Sequence, residues 1–328
     1  MSGDGEFEFI RRRLAPLAAS YPGAFDLGDD GAVLQVPEAH ELVVTTDTLI
    51  SGVHFLPDDP PESVAIKVIR ASVSDLTAMG AEPQAALLSI SWPPDAADDL
   101  RTRFVDGLAV ELRARDIALI GGDTTVTPGP WTLTGTLFGS VPKGQVLRRS
   151  GAQAGDILAM TGTVGDAGLG LLALTGTLAV DASDRAEFVE RYRIPPVRSE
   201  LVDLLRDHAS AALDISDGLL ADAAHIADQS GVALKIELNS ILVSDAADHW
   251  LSGEKDKPVA RIRLATSGDD YEILFSCRPD AWPELMRSAI RFDVPITRIG
   301  RVVTGQGVRV LDEDGKPLDI AKAGFTHF

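Results

Sequence analysis

Acidic residues set beside glycine, serine or threonine recur six times along the chain, each next to an apolar run. The clusters are Gly28-Asp29-Asp30-Gly31, Thr45-Thr46-Asp47, Ser74-Asp75, Gly121-Gly122-Asp123-Thr124, Asp214-Ile215-Ser216-Asp217-Gly218 and Ser267-Gly268-Asp269-Asp270-Tyr271-Glu272. Carboxylates and hydroxyls are the oxygen ligands that hard divalent cations such as Mg²⁺ select. Glycine lets backbone amides come close to phosphate. Any one cluster reads as a helix cap or a turn. Their repetition at the ends of predicted elements points to a shared site that holds several metal ions between anionic substrates.

Familiar phosphate motifs do not account for this pattern. Gly-x-x-x-x-Gly-Lys-Ser/Thr is absent, and so are the His-Arg-Asp and Asp-Phe-Gly segments of protein kinases. Gly162-Thr163-Val164-Gly165-Asp166-Ala167-Gly168 follows an apolar run, but its spacing is not Gly-x-Gly-x-x-Gly. A tight turn with close helix packing is the expectation there.

The elements that must position these side chains follow from periodicity. Residues 7–17 have helical spacing, with Phe9, Ile10, Leu14 and Leu17 on one side. Residues 32–36 and 42–46 look like paired strands, which would bring Asp30 and Asp47 to one sheet end. A long helix is expected over 61–79, opened by Pro61 and stopped by Gly80, with Asp75 in its C-terminal part. Strands at 85–92, 117–120 and 131–141 and a helix at 96–115 complete the first half, and Asp123 would follow the end of a strand. The second half offers strands at 157–161, 232–238, 273–276 and 296–303. Its expected helices are 169–174, 184–192, 200–207, 218–229 and 283–290, and Asp214 and Asp217 would sit at a helix N-terminus. A Pro-, Gly- and Arg-rich stretch at 142–155 marks a boundary. The fold class expected is α/β (α+β), two mixed domains over 1–141 and 150–328.

Length, at 328 residues, allows two substantial cores. A net charge of −19 argues against a nucleic-acid partner. No apolar stretch approaches the ~20 residues of a membrane helix, and residues 1–9 lack signal-peptide character. A cytoplasmic protein is expected. Cys277 is the only cysteine, which excludes an intrachain disulfide, and its apolar setting suggests a core thiol.

Taken in order, the segments resemble a known family, the thiamine-monophosphate kinases, within the superfamily of aminoimidazole ribonucleotide synthetase and selenophosphate synthetase. The resemblance runs through Gly5-Glu6-Phe7, Gly28-Asp29-Asp30, Thr46-Asp47-Thr48-Leu49, Gly52-Val53-His54-Phe55 and Ser74-Asp75-Leu76-Thr77-Ala78-Met79-Gly80-Ala81. It continues through Gly121-Gly122-Asp123-Thr124-Thr125, Arg149-Ser150-Gly151, Asp214-Ile215-Ser216-Asp217-Gly218-Leu219, Gly268-Asp269-Asp270-Tyr271-Glu272 and Gly324-Phe325-Thr326-His327-Phe328. The family carries Gly-Glu-Asp where this chain has Gly268-Asp269-Asp270.

The resemblance implies transfer of the γ-phosphoryl group of ATP, as co-substrate, to thiamine monophosphate. It implies that Asp30, Thr45, Thr46, Asp47, Asp75, Asp123, Asp214 and Asp217 hold several Mg²⁺ ions, directly or through water. Gly122, Asp123, Arg149 and Ser216 would contact the nucleotide, and His54, Asp269 and Phe325 the thiamine substrate. From the residues alone, His54 reads equally as a satisfied core histidine, Arg149 as surface charge and Phe325 as a C-terminal plug. The resemblance further implies a homodimer whose N-terminal sheets pair into a barrel, with a C-terminal α/β domain completing the active-site cleft.

Two other readings are weaker. Selenophosphate synthesis would need a reactive cysteine near the N-terminus, and Cys277 is misplaced for it. A non-catalytic acidic cation-binding module lacks EF-hand spacing.

Overall fold

The computed structural model describes residues 6–320 and 323–325, with the side chain of Glu6 outside the description. Gly5 and the terminal Thr326-His327-Phe328 of the sequence resemblance lie outside the described residues. The chain divides into two compact units, residues 1–76 with 81–144 and residues 77–80 with 145–328.

In the first unit the chain opens with the short helices Glu6–Phe9 (α1) and Ala15–Ala18 (α2), joined by a π-helical segment, Ile10–Leu14. A sheet follows, built from His40–Ile50 (β1), Glu82–Trp92 (β2), Ala118–Val126 (β3) and Thr132–Pro142 (β4) in the order β1-β4-β2-β3. Only the β2–β3 pair is parallel. Two long helices, Pro61–Ala78 (α3) and Asp98–Ala114 (α4), belong to the same stretch of chain. Along β1 exposure alternates: Val43 and Leu49 are buried, whereas Leu42 and Val44 face out. That period of two assigns one sheet face to the core and leaves the other open at this edge. Phe9, Phe55, Trp92, Phe104 and Trp131 interlock in the core by edge-on and stacked contacts.

Two expectations for this unit are corrected. Residues 32–36 form no strand. Val33 N donates to Gly23 O and Gln35 N to the Tyr21 hydroxyl, while Ala32 and Leu34 pack on the cluster around Ala85, Ala118 and Ile120. Their apolar character serves a sheet face instead of a ladder, so Asp30 and Asp47 do not share a hairpin. Nor does the third strand stop at Ile120. β3 runs through Gly121, Gly122 and Asp123 in parallel with β2, after a bulge that leaves Ile120 extra. At Gly122 (φ 152°) a Cβ would lie 2.0 Å from Leu88 O, so a glycine is needed for the two strands to close.

The second unit is a six-stranded sheet of Ile157–Thr161 (β5), Ala209–Ile215 (β6), Ala233–Glu237 (β7), Glu272–Cys277 (β8), Ile296–Val303 (β9) and Gly307–Leu311 (β10). Its order is β10-β7-β9-β5-β8-β6, antiparallel except for β10–β7. The helices are Asp166–Leu174 (α5), Ala182–Arg193 (α6), Val202–His208 (α7), Leu219–Ser230 (α8), Asp245–Gly253 (α9), Lys257–Ala265 (α10) and Trp282–Ala289 (α11).

Both faces of this sheet are covered, which explains the uninterrupted apolar runs of β5 and β8. Leu158, Met160, Leu213 and Leu274 pack with Leu219, Ala223 and Ile226 of α8 on one side. Ile157, Ala159, Phe275 and Cys277 pack with Leu204 and Leu205 of α7 and Leu285 of α11 on the other. Cys277 is therefore a core thiol, its pKa pushed up to about 12 by burial and by the nearby Asp156 charge. Among the described residues no helix is long and apolar enough to cross a membrane.

Candidate active site

In the first unit, residues two apart on a strand meet residues three apart on a helix. Thr45 and Asp47 share the core-facing side of β1, and Ser72 and Asp75 share one face of α3. Thr45 Oγ1 donates to Asp75 Oδ2, and Ser72 Oγ donates to Asp47 Oδ2 at 2.9 Å. The helix comes this close because β4 carries Gly135 beneath it; a Cβ there would lie 3.3–3.5 Å from Val68 and Ser72.

Burial and the neighbouring Asp75 charge raise Asp47 to about 6, partly offset by the Ser72 hydroxyl. Two carboxylates and two hydroxyls thus form an oxygen-only donor set in which like charges crowd, the chemistry that suits a hard cation. Ser72 was not singled out from the sequence. Its place one helical turn before Asp75 was the available signal.

Not every candidate joins this group. Strand register puts Asp47, Gly135, Leu88 and Gly122 in one row across the sheet, and Thr48, Thr134, Ser89 and Asp123 in the next. Asp123 and Thr46 therefore lie on the opposite sheet face from Asp47, and both are exposed. Thr46 Oγ1 is 3.2 Å from Gly135 O and 3.0 Å from Thr136 Oγ1. Asp30 is exposed in a bend that is not part of any strand. Asp47 itself lies within β1, not at its end. His54 Nδ1 accepts a 3.0 Å bond from Ile50 N, which leaves the ring proton to Nε2, and His54 O accepts from Lys67 Nζ.

In the second unit three loops close on one another through glycines. Asp214 is a buried residue of β6, not a helix-terminal one, and Asp217 lies in the turn between β6 and α8. Asp269 N donates to Ser216 O at 2.8 Å, Tyr271 N to Ile215 O at 2.7 Å, and Phe325 N to Asp217 O at 2.9 Å. A Cβ at Gly268 would lie 2.6 Å from Ser216 O, and one at Gly324 would lie 2.4 Å from Asp217 O. The structure thus brings Ser216, Asp217, Asp269 and Phe325 together. Phe325 keeps 46% of its surface exposed, so it is no core plug.

Asp222, in the first turn of α8, was missed by sequence reading. Its Oδ2 accepts from both Ser216 N and Asp217 N at 3.0 Å. Burial and the Asp217 charge raise it to about 7, against those two amides and Arg149. Arg149 is exposed and within electrostatic reach of that carboxyl. An acidic residue one turn into a helix that follows a Ser-Asp-Gly turn is the signal that could have revealed Asp222.

Beneath these loops lies a buried charged network. Glu272, with no exposed surface, accepts from Arg198 Nε at 2.6 Å and Nη2 at 2.5 Å, from Thr161 Oγ1 at 2.7 Å and from Arg191 Nη2 at 3.3 Å. Asp166 accepts from Thr163 and Ser244 hydroxyls and lies 3.7 Å from Arg191 Nε. Both oxygens of Asp270 lie 2.9 Å from Gly165 N. The glycine loop at 162–168 is a packing template, as expected. A Cβ at Gly162 would lie 1.9 Å from Glu272 Oε1, and one at Gly168 would lie 2.5 Å from the Ser267 side chain.

Burial and the Asp166 charge hold the Asp270 carboxyl well above the usual carboxylate range. Folded, this group keeps its proton at pH values where the unfolded chain has released it, so stability falls as pH rises from about 4. Asp270→Asn, neutral throughout, should flatten the slope of urea-unfolding stability between pH 4.5 and 7. A slope equal to that of the parent protein would show that Asp270 ionises normally.

The chain's matches to known proteins agree with this layout. The family model described as AIR synthase related protein, N-terminal domain, matches residues 28–141, and the corresponding C-terminal domain model matches residues 153–313. Both units are thus those of the AIR synthase related proteins. The thiamine-monophosphate kinase of Caulobacter vibrioides is 40% identical over 323 residues, covering 98% of this chain and 90% of that relative. A crystal structure of thiamine-monophosphate kinase from Stenotrophomonas maltophilia superposes with a TM-score of 0.80 at 41% identity, over 89% of this chain and 91% of that one. AaThiL complexed with AMPPCP and TMP superposes with a TM-score of 0.79 at 30% identity, over 99% and 97%. The chain belongs to the thiamine-monophosphate kinase family.

Proposed function

We propose that this chain transfers the γ-phosphoryl group of ATP directly, in line, onto the phosphate of thiamine monophosphate, giving thiamine diphosphate and ADP, with several Mg²⁺ ions assisting. The observation that carries the reading is the likeness, over nearly the whole chain, to a kinase solved with AMPPCP, an ATP analogue, and TMP. The oxygen-only group at Thr45, Asp47, Ser72 and Asp75 supports it.

The acceptor oxygen belongs to a phosphate monoester that is already ionised at neutral pH, so no strong general base is needed. The obstacle is repulsion: two unit charges 4 Å apart at an effective dielectric of 20 interact by about 4 kcal/mol. Magnesium, when bound, supplies the charge neutralisation that lets two polyanions meet. Asp47 and Asp75, with Thr45, would hold one such ion; Asp30, Thr46, Asp123, Asp214 and Asp217 are the proposed ligands of the others. Gly122, Asp123, Arg149 and Ser216 would contact the nucleotide, and His54, Asp269 and Phe325 the thiamine moiety. Phe325, half exposed, offers a flat face to a cationic ring. The task of these groups is positioning and electrostatic complementarity, not proton transfer.

The same reading makes the protein a cytoplasmic homodimer closed through its first sheet. Support comes from the edge strand β1, which leaves Leu42 and Val44 exposed. Incubation of purified protein with ATP, Mg²⁺ and thiamine monophosphate should yield thiamine diphosphate by mass, and none should form when free thiamine replaces the monophosphate. Appearance of thiamine monophosphate from free thiamine would overturn the acceptor assignment.

A further inference from the structure

We infer that Asp222 is a positioning residue, whose carboxylate fixes the peptide units that carry the Ser216 and Asp217 amides and thereby the two segments, 269–271 and 324–325, that hang on this turn. The inference rests on the roles proposed above for Ser216, Asp217, Asp269 and Phe325.

A single oxygen, Asp222 Oδ2, receives two consecutive backbone amides at 3.0 Å. Side chains in the first turn of a helix ordinarily reach back to the N-cap amide. Here the N-cap is Gly218, and the side chain reaches past it to the two residues before. The N–H groups drawn to Asp222 belong to the 215–216 and 216–217 peptide units; Ser216 O, in the second of them, receives Asp269 N, and Asp217 O, one peptide further on, receives Phe325 N. Next to them, Ile215 O receives Tyr271 N.

The segment that donates to Ser216 O and Ile215 O is strained. Asp269 (φ 69°) and Tyr271 (φ 50°) are both left-handed without being glycine, a state that persists only where surrounding bonds impose it. The bonds that impose it include those to Ser216 O and Ile215 O. Asp222 is buried, and its bonds to Ser216 and Asp217 are to their backbone amides, so it acts through the peptide units it holds. Loss of its oxygen frees the 215–217 backbone to rotate, and Asp269 and Tyr271 lose the restraint on their backbone angles.

Amide hydrogen exchange and kinetics test this together. In the parent protein the Ser216 and Asp217 amides should exchange slowly. In Asp222→Ala both should exchange at least about tenfold faster, with residues 211–213 and 273–276 unchanged. Turnover measured as kcat/KM should fall by about 100-fold, the scale of a misplaced site. Asp222→Asn keeps an acceptor oxygen in the same place and should restore activity to within about tenfold of the parent. Rapid exchange of both amides in the parent protein overturns the inference, as does Asp222→Ala with parental protection. Asp222→Asn as inactive as a folded Asp222→Ala also overturns it, because charge and not the acceptor would then be what matters. If Asp222→Ala does not fold, parental exchange and the activity of Asp222→Asn decide by the same criteria. Slow amides released in Asp222→Ala support the pin even if the parent makes no thiamine diphosphate, a result that would remove only the proposed reaction.

Discussion

Glu272→Ala is expected to destabilise the second unit by about 3–5 kcal/mol, the cost of breaking a buried ion pair from one side. Four donors converge on this carboxylate: two from Arg198, one from Arg191 and one from Thr161. Arg191 has a second partner in Asp166, so its loss is partial. Arg198 Nε and Nη2 both donate to Glu272, and the Arg198 side chain is only 14% exposed. Removing Glu272 leaves that guanidinium buried without its two hydrogen-bond acceptors, with the Glu200 charge as its remaining acidic neighbour. Against a total stability of about 5–15 kcal/mol for a typical domain, the loss takes roughly a fifth or more. Glu272→Gln retains an acceptor and should cost less. Urea unfolding followed by far-UV circular dichroism reads both; a shift below about 1 kcal/mol in Glu272→Ala would mean that the network is solvated, not buried.

How far the sequence discloses this molecule depends on which signal each element carries. β5 and β9 were legible to the residue because their apolar runs are bounded by glycine and proline turns. β6, by contrast, is Ala-Ser-Ala-Ala-Leu-Asp-Ile, alanine-rich and ending beside an aspartate, with little of the β-branched character that marks a strand. It is a strand because β8 supplies its ladder. The paired glycines at 121 and 122 signal a strand end locally, yet close approach to Leu88 keeps them within one. Residues 32–36 have strand composition but pack flat on a sheet face.

The site shows the same division. The types and neighbours of Asp47 and Asp75 mark them in the sequence as candidates, and the structure brings them into one hydrogen-bonded group. Ser72 and Asp222 were not, because each matters only through a partner brought near by folding. The buried trio of Asp166, Asp270 and Glu272 escaped for another reason. A sequence shows how many carboxylates a segment carries, but not that the counter-charges of Glu272, Arg191 and Arg198, come from a helix and a loop more than 70 residues away.

Asp47→Asn should separate stability from activity. The substitution keeps side-chain shape and an acceptor for Ser72 Oγ while it removes one of two repelling, partly buried charges. Each pKa unit of elevation corresponds to about 1.4 kcal/mol, so relief of the strain should raise stability by on the order of 1–3 kcal/mol near pH 7. If Asp47 is a metal ligand, turnover should fall by roughly 1,000-fold or more, because an amide oxygen cannot replace a carboxylate against polyphosphate charge. A residue kept for folding would behave the other way, with stability lost and activity following it. Thermal unfolding and kcat at saturating ATP and thiamine monophosphate distinguish the two. An Asp47→Asn protein with full turnover would remove this carboxylate from the metal set, and one that is inactive only because it unfolds would mark it as structural. The expected pairing, a tighter fold with nearly no turnover, would show that the charge crowding on β1 and α3 is maintained for phosphoryl transfer and not for the fold.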